Sequence, residues 1–332
     1  MLPALSRIGR RRSLRAGAAL AVVLGLLLWW LLPLGDPAPT GTLSFSTGVR
    51  SGVYQRYGER LKGALAKDMP DVSINLQTSE GSQQNLARVA AGEADFTIAT
   101  TDAVATYLRA RKPGFERLRG CVRLYDDYIQ LVVKRGSDID KVADLRGRTV
   151  AVGQAGSGVK LVADRLMTAA GLDPVNDVTP LPVGIDTMPK LLEEGRIDAF
   201  FWSGGLPTTA VADLSDRFPV RLVPLEDSLI KQLQAAGGST RYYRSAVMPA
   251  DAYRNAQQGQ AVPTVAVANV LVTTDRTDAA MTEAFTRTVI DSRDRIGREV
   301  HAAQLVDLRT AIYTDPLPLH EGAKRYYRSV KP

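Results

Sequence analysis

Strand-like and helix-like stretches alternate along this chain, and the alternation limits the folds that it can adopt. The stretch "LSFST" (residues 43–47), the period-2 stretch "VSINLQTS" (72–79) and "ADFTIATTD" (94–102) are each followed by a helical pattern. Strands that alternate with helices build sheets that are mostly parallel and covered by helices. The sequence therefore predicts an α/β fold.

The three strand-to-helix junctions share one kind of chemistry. They read "STGVRSG", "TSEGS" and "TTD", and each is rich in hydroxyl groups or glycine. Taken singly, such residues are ordinary helix N-caps. Because the carboxyl ends of strands in a doubly wound sheet line one crevice, their recurrence favours a binding site at that crevice.

A fourth strand-to-helix junction, rich in glycine, lies in "VGQAGSGVKLVADRLMTAAGL" (152–172). It is not a phosphate-binding P-loop, because Gly158 is followed by Val159 and Lys160 and no hydroxyl residue comes next. Backbone N–H groups at Gly156, Ser157 and Gly158, where a helix begins, can still bind a carboxylate or another anion. The alternative is that Ser157 only caps the helix and the glycines only shape the turn.

Later strands indicate a second domain from which the chain returns. The apolar stretch "YIQLVVKR" (128–135) leads to a fresh strand at Thr149, and "VTPLPVG", "DAFFWSG" and "VRLVPL" follow. The stretch "TVAVANVLVTTD" (264–275) has the length and the β-branched content to run from one domain to another. A helical pattern then dominates from residue 279 to about residue 304.

Composition excludes two classes of protein. With 332 residues, 45% hydrophobic and 23% charged, the chain is globular and long enough for two domains, so it is not mainly disordered. The net charge is +7, but much of this excess belongs to five arginines that precede an apolar run. Nucleic-acid binding therefore loses its main support.

The N-terminal segment predicts a membrane anchor or an export signal. Residues 1–15 are basic and are expected in the cytoplasm, and residues 16–35 are uncharged and long enough to cross a bilayer as a helix. No small-x-small cleavage site follows in the Pro-rich linker, residues 36–41, which favours an uncleaved anchor over a cleaved signal peptide. Both alternatives place the chain from Thr40 onward outside the cytoplasm.

No catalytic or cofactor site is indicated by the sequence. With one cysteine, Cys121, and two histidines, the chain offers neither an intramolecular disulfide nor a zinc cluster. The "WSGG" stretch does not match G-x-S-x-G. The paired carboxylates at 126–127 and at 193–194 are interpreted as parts of solvated faces. We therefore expect no enzyme activity, no metal and no cofactor.

Seven segments in order resemble the TAXI family, the extracytoplasmic solute receptors of tripartite ATP-independent periplasmic (TRAP) transporters. The resemblance runs from about residue 42 to residue 327. It rests on "STGVRSGVYQRYG", "TSEGSQQNLARVAAGEADFTIATTD", "LYDDYIQLVVKR", "VADLRGRTVAVGQAGSGVKLVADRLMTAAGL", "LLEEGRIDAFFWSGGLPT", "VPTVAVANVLVTT" and "PLPLHEGAKRYYR".

The resemblance implies a type II periplasmic-binding-protein fold with two α/β lobes, a hinge and a ligand cleft between the lobes. It places the first lobe at residues 42–130 and 263–332 and the second at 131–262. It further implies a monomer that binds a small carboxylate or amino acid, often glutamate-like, and delivers it to a TRAP membrane permease. The alternative is a membrane-anchored sensor module that works with a separate signalling partner.

The resemblance also implies which residues face the ligand. Backbone N–H and hydroxyl groups in these loops are expected to donate hydrogen bonds to the ligand carboxylates. Asp102 is expected to accept from a ligand ammonium, and Tyr54 to form an apolar wall with a polar tip. Four residues depart from the family pattern, namely Val49, Arg50, Val159 and Trp202. The predicted ligand-binding residues are Thr47, Gly48, Ser51, Gly52, Val53, Tyr54, Gly81, Ser82, Thr101, Asp102, Gly156, Ser157, Gly158, Ser203, Gly204, Gly205 and Leu206.

Overall fold

The computed structural model describes residues 17–18, 20–27 and 39–330. The chain divides into two compact units, Met1–Ala38 and Pro39–Pro332, and each is described by itself. In the first unit the described residues are helical. The predicted basic N-terminus, half of the predicted anchor or signal segment and the first half of the predicted linker lie outside the described residues. None of the helices in the described ranges is long and apolar enough to cross a membrane.

The strands described in the second unit all join one mixed sheet. In chain order they are β1 (Gly41–Ser46), β2 (Val72–Gln77), β3 (Phe96–Thr100), β4 (Leu118–Lys134), β5 (Thr149–Ala151), β6 (Thr179–Leu181), β7 (Ala199–Gly204), β8 (Val220–Val223), β9 (Tyr243–Met248) and β10 (Val262–Thr274). The strand order is β2-β1-β3-β10-β4-β7-β5-β6, with β8 paired to β4 and β9 paired to β10.

Helices connect most of these strands, as the alternating sequence pattern predicts. They are α1 (Val53–Asp68), α2 (Ser82–Ala91), α3 (Thr101–Arg109), α4 (Gly158–Ala169), α5 (Met188–Glu193), α6 (Thr209–Arg217), α7 (Asp227–Ala235), α8 (Arg254–Gln257), α9 (Ala279–Asp291), α10 (Arg293–Gly297), α11 (Leu308–Ala311) and α12 (Glu321–Val330). The helical pattern at 279–304 is thus interrupted, because α9 ends at Asp291, α10 ends at Gly297 and a short 3-10 helix follows at His301–Leu305.

The first lobe is built on β1, β2 and β3, with β1 parallel to both of its neighbours. Strand β3 is buried along its whole length, as strands covered on both faces are. Its Phe96 stacks on Phe285 of α9, with ring centroids 4.2 Å apart. Cys121 lies in the same apolar core, which agrees with its interpretation as a small buried residue.

The second lobe has a separate apolar core, whose buried residues run from Ile129 to Val267. Strand β5 is parallel to β6 and β7, and the helix α4 buries Val162 and Leu166 on this core. Trp202 of β7 belongs to it as well. The two lobes therefore have separate cores, although they share one sheet.

Two long antiparallel strands, β4 and β10, run through both lobes. Near one end of the pair Leu118 is opposite Thr274, and near the other Tyr128 is opposite Ala266 and also pairs with Gly204 of the second lobe. Strand β10, Val262–Thr274, covers nearly all of the stretch at 264–275. Strand β4 begins ten residues earlier than the apolar stretch at 128–135 suggested, because its first half carries polar residues among the buried apolar ones.

Candidate functional site

One cavity lies where the carboxyl ends of the parallel strands of both lobes meet, the place that the junction sequences predict. It contains about 550 Å³ of empty space, its open mouth included. Its lining residues are Gly48, Val49, Gly52, Val53, Tyr54, Glu80, Gly81, Ser82, Thr100, Asp127, Gly153, Gln154, Ser157, Gly158, Val159, Gly184, Trp202, Ser203 and Gly204.

A buried asparagine fixes the loops on the first-lobe side. The Asn85 side chain donates to the backbone oxygens of Thr47 and Ile98 at 2.7 and 3.0 Å. Its Oδ1 accepts from Ser46 Oγ at 2.7 Å and from Ser79 Oγ at 2.6 Å. One side chain in α2 therefore ties together the ends of three strands, and it was not singled out in the sequence because it lies within an ordinary helical pattern.

A chain of hydrogen bonds crosses the floor of the cavity from one lobe to the other. Tyr54 Oη donates to Asn269 Oδ1 at 2.5 Å, and Asn269 Nδ2 donates to Asp127 Oδ1 at 2.7 Å. Asp127 Oδ2 accepts from Ser203 Oγ at 3.3 Å. Asn269 lies on β10 and Asp127 on β4, so the chain passes through both crossing strands. Tyr54 Oη also lies 3.3 Å from Ser82 Oγ.

The acidic pair at 126–127 is buried, so its interpretation as part of a solvated face is wrong. Asp126 is 8% exposed and pairs with Arg123 and Arg244, and Asp127 is 3% exposed. Burial raises the pKa of Asp127 to about 7, although its hydrogen bonds from Asn269 and Ser203 act in the opposite direction. The pair is buried because β10 pairs with β4 at Asp126 and Asp127, and β7 pairs with β4 from Tyr128 onward.

The glycine-rich turn before α4 forms the second-lobe side. Ser157 caps the helix, since its Oγ accepts from Lys160 N at 3.0 Å. The Gly156 oxygen accepts from the backbone N–H groups of Gln83 and Gln84, both at 3.1 Å. Gln83 Nε2 also donates to the Ser157 oxygen at 2.8 Å. The starts of α2 and α4 therefore face each other across the cleft in a closed arrangement.

Ten of the predicted ligand-binding residues line the cavity. The first-lobe loop contributes four, the start of α2 two, the start of α4 two and the end of β7 two. They are Gly48, Gly52, Val53, Tyr54, Gly81, Ser82, Ser157, Gly158, Ser203 and Gly204.

The other seven lie outside the cavity lining. Thr47 is buried behind it and donates to the Gln77 oxygen at 3.1 Å. Gly156 bonds across the cleft. The remaining predicted residues are Ser51, Gly205 and Leu206, which line a second, smaller pocket, and Thr101 and Asp102, which are buried in the first turn of α3.

Asp102 was expected to contact a ligand ammonium, but in the structure its carboxylate is bound by side chains of the protein. Its Oδ2 accepts from Tyr243 Oη at 2.5 Å and forms an ion pair with Arg165 Nη1 at 3.1 Å. Arg165 and Tyr243 belong to the second lobe. The resemblance alone suggested Asp102 as a ligand-binding residue, and its partners come from segments that are distant in the sequence.

Several cavity residues were not in the predicted set. Those with charged, amide or hydroxyl side chains are Asp127, Glu80, Gln154 and Thr100. Trp202, noted as a departure, forms part of the wall, and its Nε1 donates to Thr208 Oγ1 at 2.9 Å. The departure at Val159 also lines the cavity, whereas Arg50 is exposed. Within the described residues no group of three metal-ligating side chains comes together.

Two glycines of the turn before α4 offer a matched test of its packing. Both have left-handed backbones, with φ of 87° at Gly153 and 84° at Gly156. A Cβ at Gly153 would lie 2.7 Å from Val159 Cβ and 2.9 Å from Lys160 N, whereas at Gly156 the nearest atom is 3.8 Å away. We expect Gly156→Ala to cost about 1–2 kcal/mol for the backbone alone, and Gly153→Ala to cost a further 1–3 kcal/mol, roughly, for crowding.

Urea unfolding of the two variants beside the wild type measures both losses. Equal losses for Gly153→Ala and Gly156→Ala would contradict the close packing of this turn on α4.

The chain matches the NMT1-like family over residues 45–330. A structure described as an L-cystine ABC transporter of Listeria monocytogenes is similar to it with a TM-score of 0.50 and 13% identity, covering 81% of this chain and 99% of that one. An ancestral arginine-binding protein bound to arginine is similar with a TM-score of 0.50 and 16% identity, covering 78% and 97%.

The two lobes, the crossing strands and the cleft between them define a type II periplasmic-binding-protein fold, which confirms the predicted fold class. The chain belongs to the NMT1-like family. The expected lack of enzyme activity agrees with membership of this family.

Proposed function

We propose that this protein is the extracytoplasmic solute-binding subunit of a TRAP-type transporter, and that it captures a small carboxylate or amino acid and delivers it to a membrane permease. The observation that carries the proposal is the cavity between two lobes joined by β4 and β10, which loops of both lobes line. A hinge at two crossing strands permits closure around a solute and changes the surface shown to a partner.

Contacts across the cleft support hinge closure. Besides the bonds at Gly156, Ser51 contacts Asp186, and Arg56 Nη1 donates to Thr209 Oγ1 at 2.5 Å. Each of these bonds joins the first lobe, at 42–130 and 263–332, to the second lobe, at 131–262. Opening the cleft would break them, so the proposed open form must be stabilised by hydration of the same groups.

The proposed class of solute is supported by the two similar structures, and the proposed class of partner by the sequence. The two similar structures are described as an L-cystine transporter and as an arginine-binding protein bound to arginine, and both descriptions name amino acids. The seven TAXI-like segments favour a sodium-driven TRAP permease as the partner. We further propose that the receptor is a monomer and is held at the outer face of the cytoplasmic membrane by its N-terminal segment.

Ligand binding should stabilise the protein measurably. After retained solute has been removed by unfolding and refolding, an amino acid or carboxylate that binds should raise the free energy of unfolding by about 2.7 kcal/mol at a hundredfold excess over Kd. Thermal unfolding against a panel of amino acids and dicarboxylates measures this. A panel without any stabilising compound would contradict the proposed function.

The kind of permease can be tested separately. Membrane vesicles from the source organism should take up the labelled solute when this protein and a sodium gradient are supplied. Uptake that needs ATP and ignores the sodium gradient would contradict the TRAP partnership, while leaving the binding function supported.

A further inference from the structure

The cavity is lined by acidic side chains and not by basic ones, among the described residues. Among the described residues that line it, Asp127 and Glu80 are acidic, and none is a lysine, an arginine or a histidine. A solute carboxylate therefore meets no side-chain cation in this cavity. Two acidic groups without a cation instead favour a solute that brings positive charge with it.

Asp127 is held in place and has acceptor capacity left. A carboxylate can accept about four hydrogen bonds, and Asp127 accepts one at each oxygen, from Asn269 and from Ser203. The orientation of Asn269 is set in turn by the bond from Tyr54 to its Oδ1. The side chain is 3% exposed, so the carboxylate is presented to the cavity with little access to bulk water.

Glu80 supplies an acidic atom that has no partner. Its Oε2 is buried and, within the described part of the chain, accepts no hydrogen bond. An unpaired carboxylate oxygen away from water is costly, and a donor from the solute would remove that cost. The backbone of Glu80 is fixed, because its N–H donates to Gln84 Oε1 at 2.8 Å.

Backbone dipoles at another wall of the cavity favour the opposite charge. Helices α2 and α4 begin at Ser82 and Gly158, and a Cβ at Gly158 would lie only 3.1 Å from Ser82 Oγ. The positive ends of both helices therefore meet at the cavity. The cavity thus combines acidic side chains with two positive helix ends, which is the charge pattern that fits a zwitterion.

We propose that the solute carries a protonated amine, that Asp127 and Glu80 recognise this amine and determine specificity, and that the solute carboxylate lies at the starts of α2 and α4. This inference rests on the proposed function, because it concerns the solute of the same cavity. It replaces Asp102 by Asp127 as the group that selects an ammonium. It also predicts that solutes without an amine are rejected, since their carboxylates would face two acids with no compensating charge.

The test compares solutes that differ only by the amine. Isothermal titration of the full chain, stripped of retained solute, is done with L-alanine against propionate and with L-glutamate against glutarate. At least one amino acid should bind roughly 10- to 150-fold more tightly than its partner without the amine, the effect of a charge-assisted hydrogen bond. Partners that bind equally well would overturn the inference and leave the proposed function intact, whereas absence of binding by all four would contradict both.

Two variants then locate the recognition. Asp127→Asn should lower affinity for the amino acid by a similar factor and remove most of its advantage over the partner without the amine. Asp126→Asn is the matched control, because Asp126 is paired with arginines and does not line the cavity, so affinity should change by less than about threefold. An Asp127→Asn protein that keeps the full preference for the amine would overturn the assignment. If that variant did not fold, the comparison of solutes on the wild type would still decide whether an amine is selected.

Discussion

Replacing Asp127 by asparagine is expected to make the ligand-free protein more stable than the wild type above pH 7, and the advantage should shrink by about 4 kcal/mol between pH 8 and pH 4. Burial raises the pKa of Asp127 from its usual value of 3.8 to about 7. A change of roughly three pH units at about 1.36 kcal/mol each gives the expected size. Asparagine can keep both bonds, accepting from Asn269 and donating to Ser203.

The direction follows from which state binds the proton. Between about pH 4 and pH 7 the folded protein holds a proton on Asp127 that the unfolded chain has lost. The stability that protonation of Asp127 contributes is therefore fully present below about pH 4. It falls as the pH rises toward 7 and is lost above that, where the curve is level. The Asp127→Asn variant has no carboxyl group at this position, so its free energy of unfolding does not fall in this way as the pH rises.

The groups around Asp127 do not reverse this expectation. The nearby carboxylates of Asp126 and Asp102 raise the pKa of Asp127 further. Tyr54 and Tyr125 are also close, and burial raises the pKa of both well above its usual range, so they stay neutral over this interval. Glu80 is the other acid at the cavity, and its side chain is common to both proteins.

Urea unfolding of both proteins between pH 4 and pH 8 measures the difference directly, since the titration of other groups cancels between them. The Asp126→Asn protein serves as the control for loss of a neighbouring charge. Parallel stability curves for the wild type and Asp127→Asn would show that Asp127 titrates in the folded protein as it does in the unfolded chain.

The position of the cavity could be predicted because it depends on local signals and on one rule of topology. Each parallel strand ends in glycine or hydroxyl residues, as at Gly48, Gly81 and Gly158, and the chain must turn into a helix there. The carboxyl ends of such strands meet in one crevice whatever the details of packing. The predicted loops therefore come together, while the ligand-binding role of their residues stays a prediction.

The polar groups that matter for specificity could not be predicted in the same way. Asp127 lies in the middle of β4, and its burial depends on the register of β10 and β7, which are distant in sequence. Asp102 was expected at the ligand from the family resemblance alone, and in the structure it is bound by Tyr243 and Arg165 of the second lobe. Its partner Arg165 is 63 residues away, and nothing in the local sequence indicates that pairing.

Arg165→Leu is expected to shift the ligand-free protein from the closed toward the open form by about 3–5 kcal/mol, the cost of leaving a buried charge without its partner. Arg165 lies on α4 of the second lobe and pairs with Asp102 at 3.1 Å in the first lobe. It also donates to Thr106 Oγ1 at 2.7 Å, and from its own lobe's side to Ser239 Oγ and Tyr243 Oη at 2.7 and 2.8 Å.

The loss should fall mainly on the closed form because of where Asp102 lies. Its side chain is 2% exposed, and its Oδ1 is buried without a hydrogen-bond partner among the described residues. Without Arg165 the carboxylate would be left with the bond from Tyr243. Opening of the cleft would let water reach the Asp102 carboxylate, so the open form would lose much less stability than the closed form.

Fluorescent labels at Lys62 and Lys190, exposed residues of the first and second lobes that can be replaced by cysteine, report the distance between the lobes. Arg165→Leu should lengthen this distance, and adding Asp102→Asn should shorten it again, because the second change removes the unpaired charge. Arg217→Leu is the matched control, since its ion pair with Glu193 is partly exposed and lies within one lobe. A swing from 1:99 to 99:1 needs about 5.5 kcal/mol, so a loss of 3–5 kcal/mol changes the populations visibly. An unchanged distance in Arg165→Leu, or no recovery on adding Asp102→Asn, would show that this ion pair does not hold the lobes together.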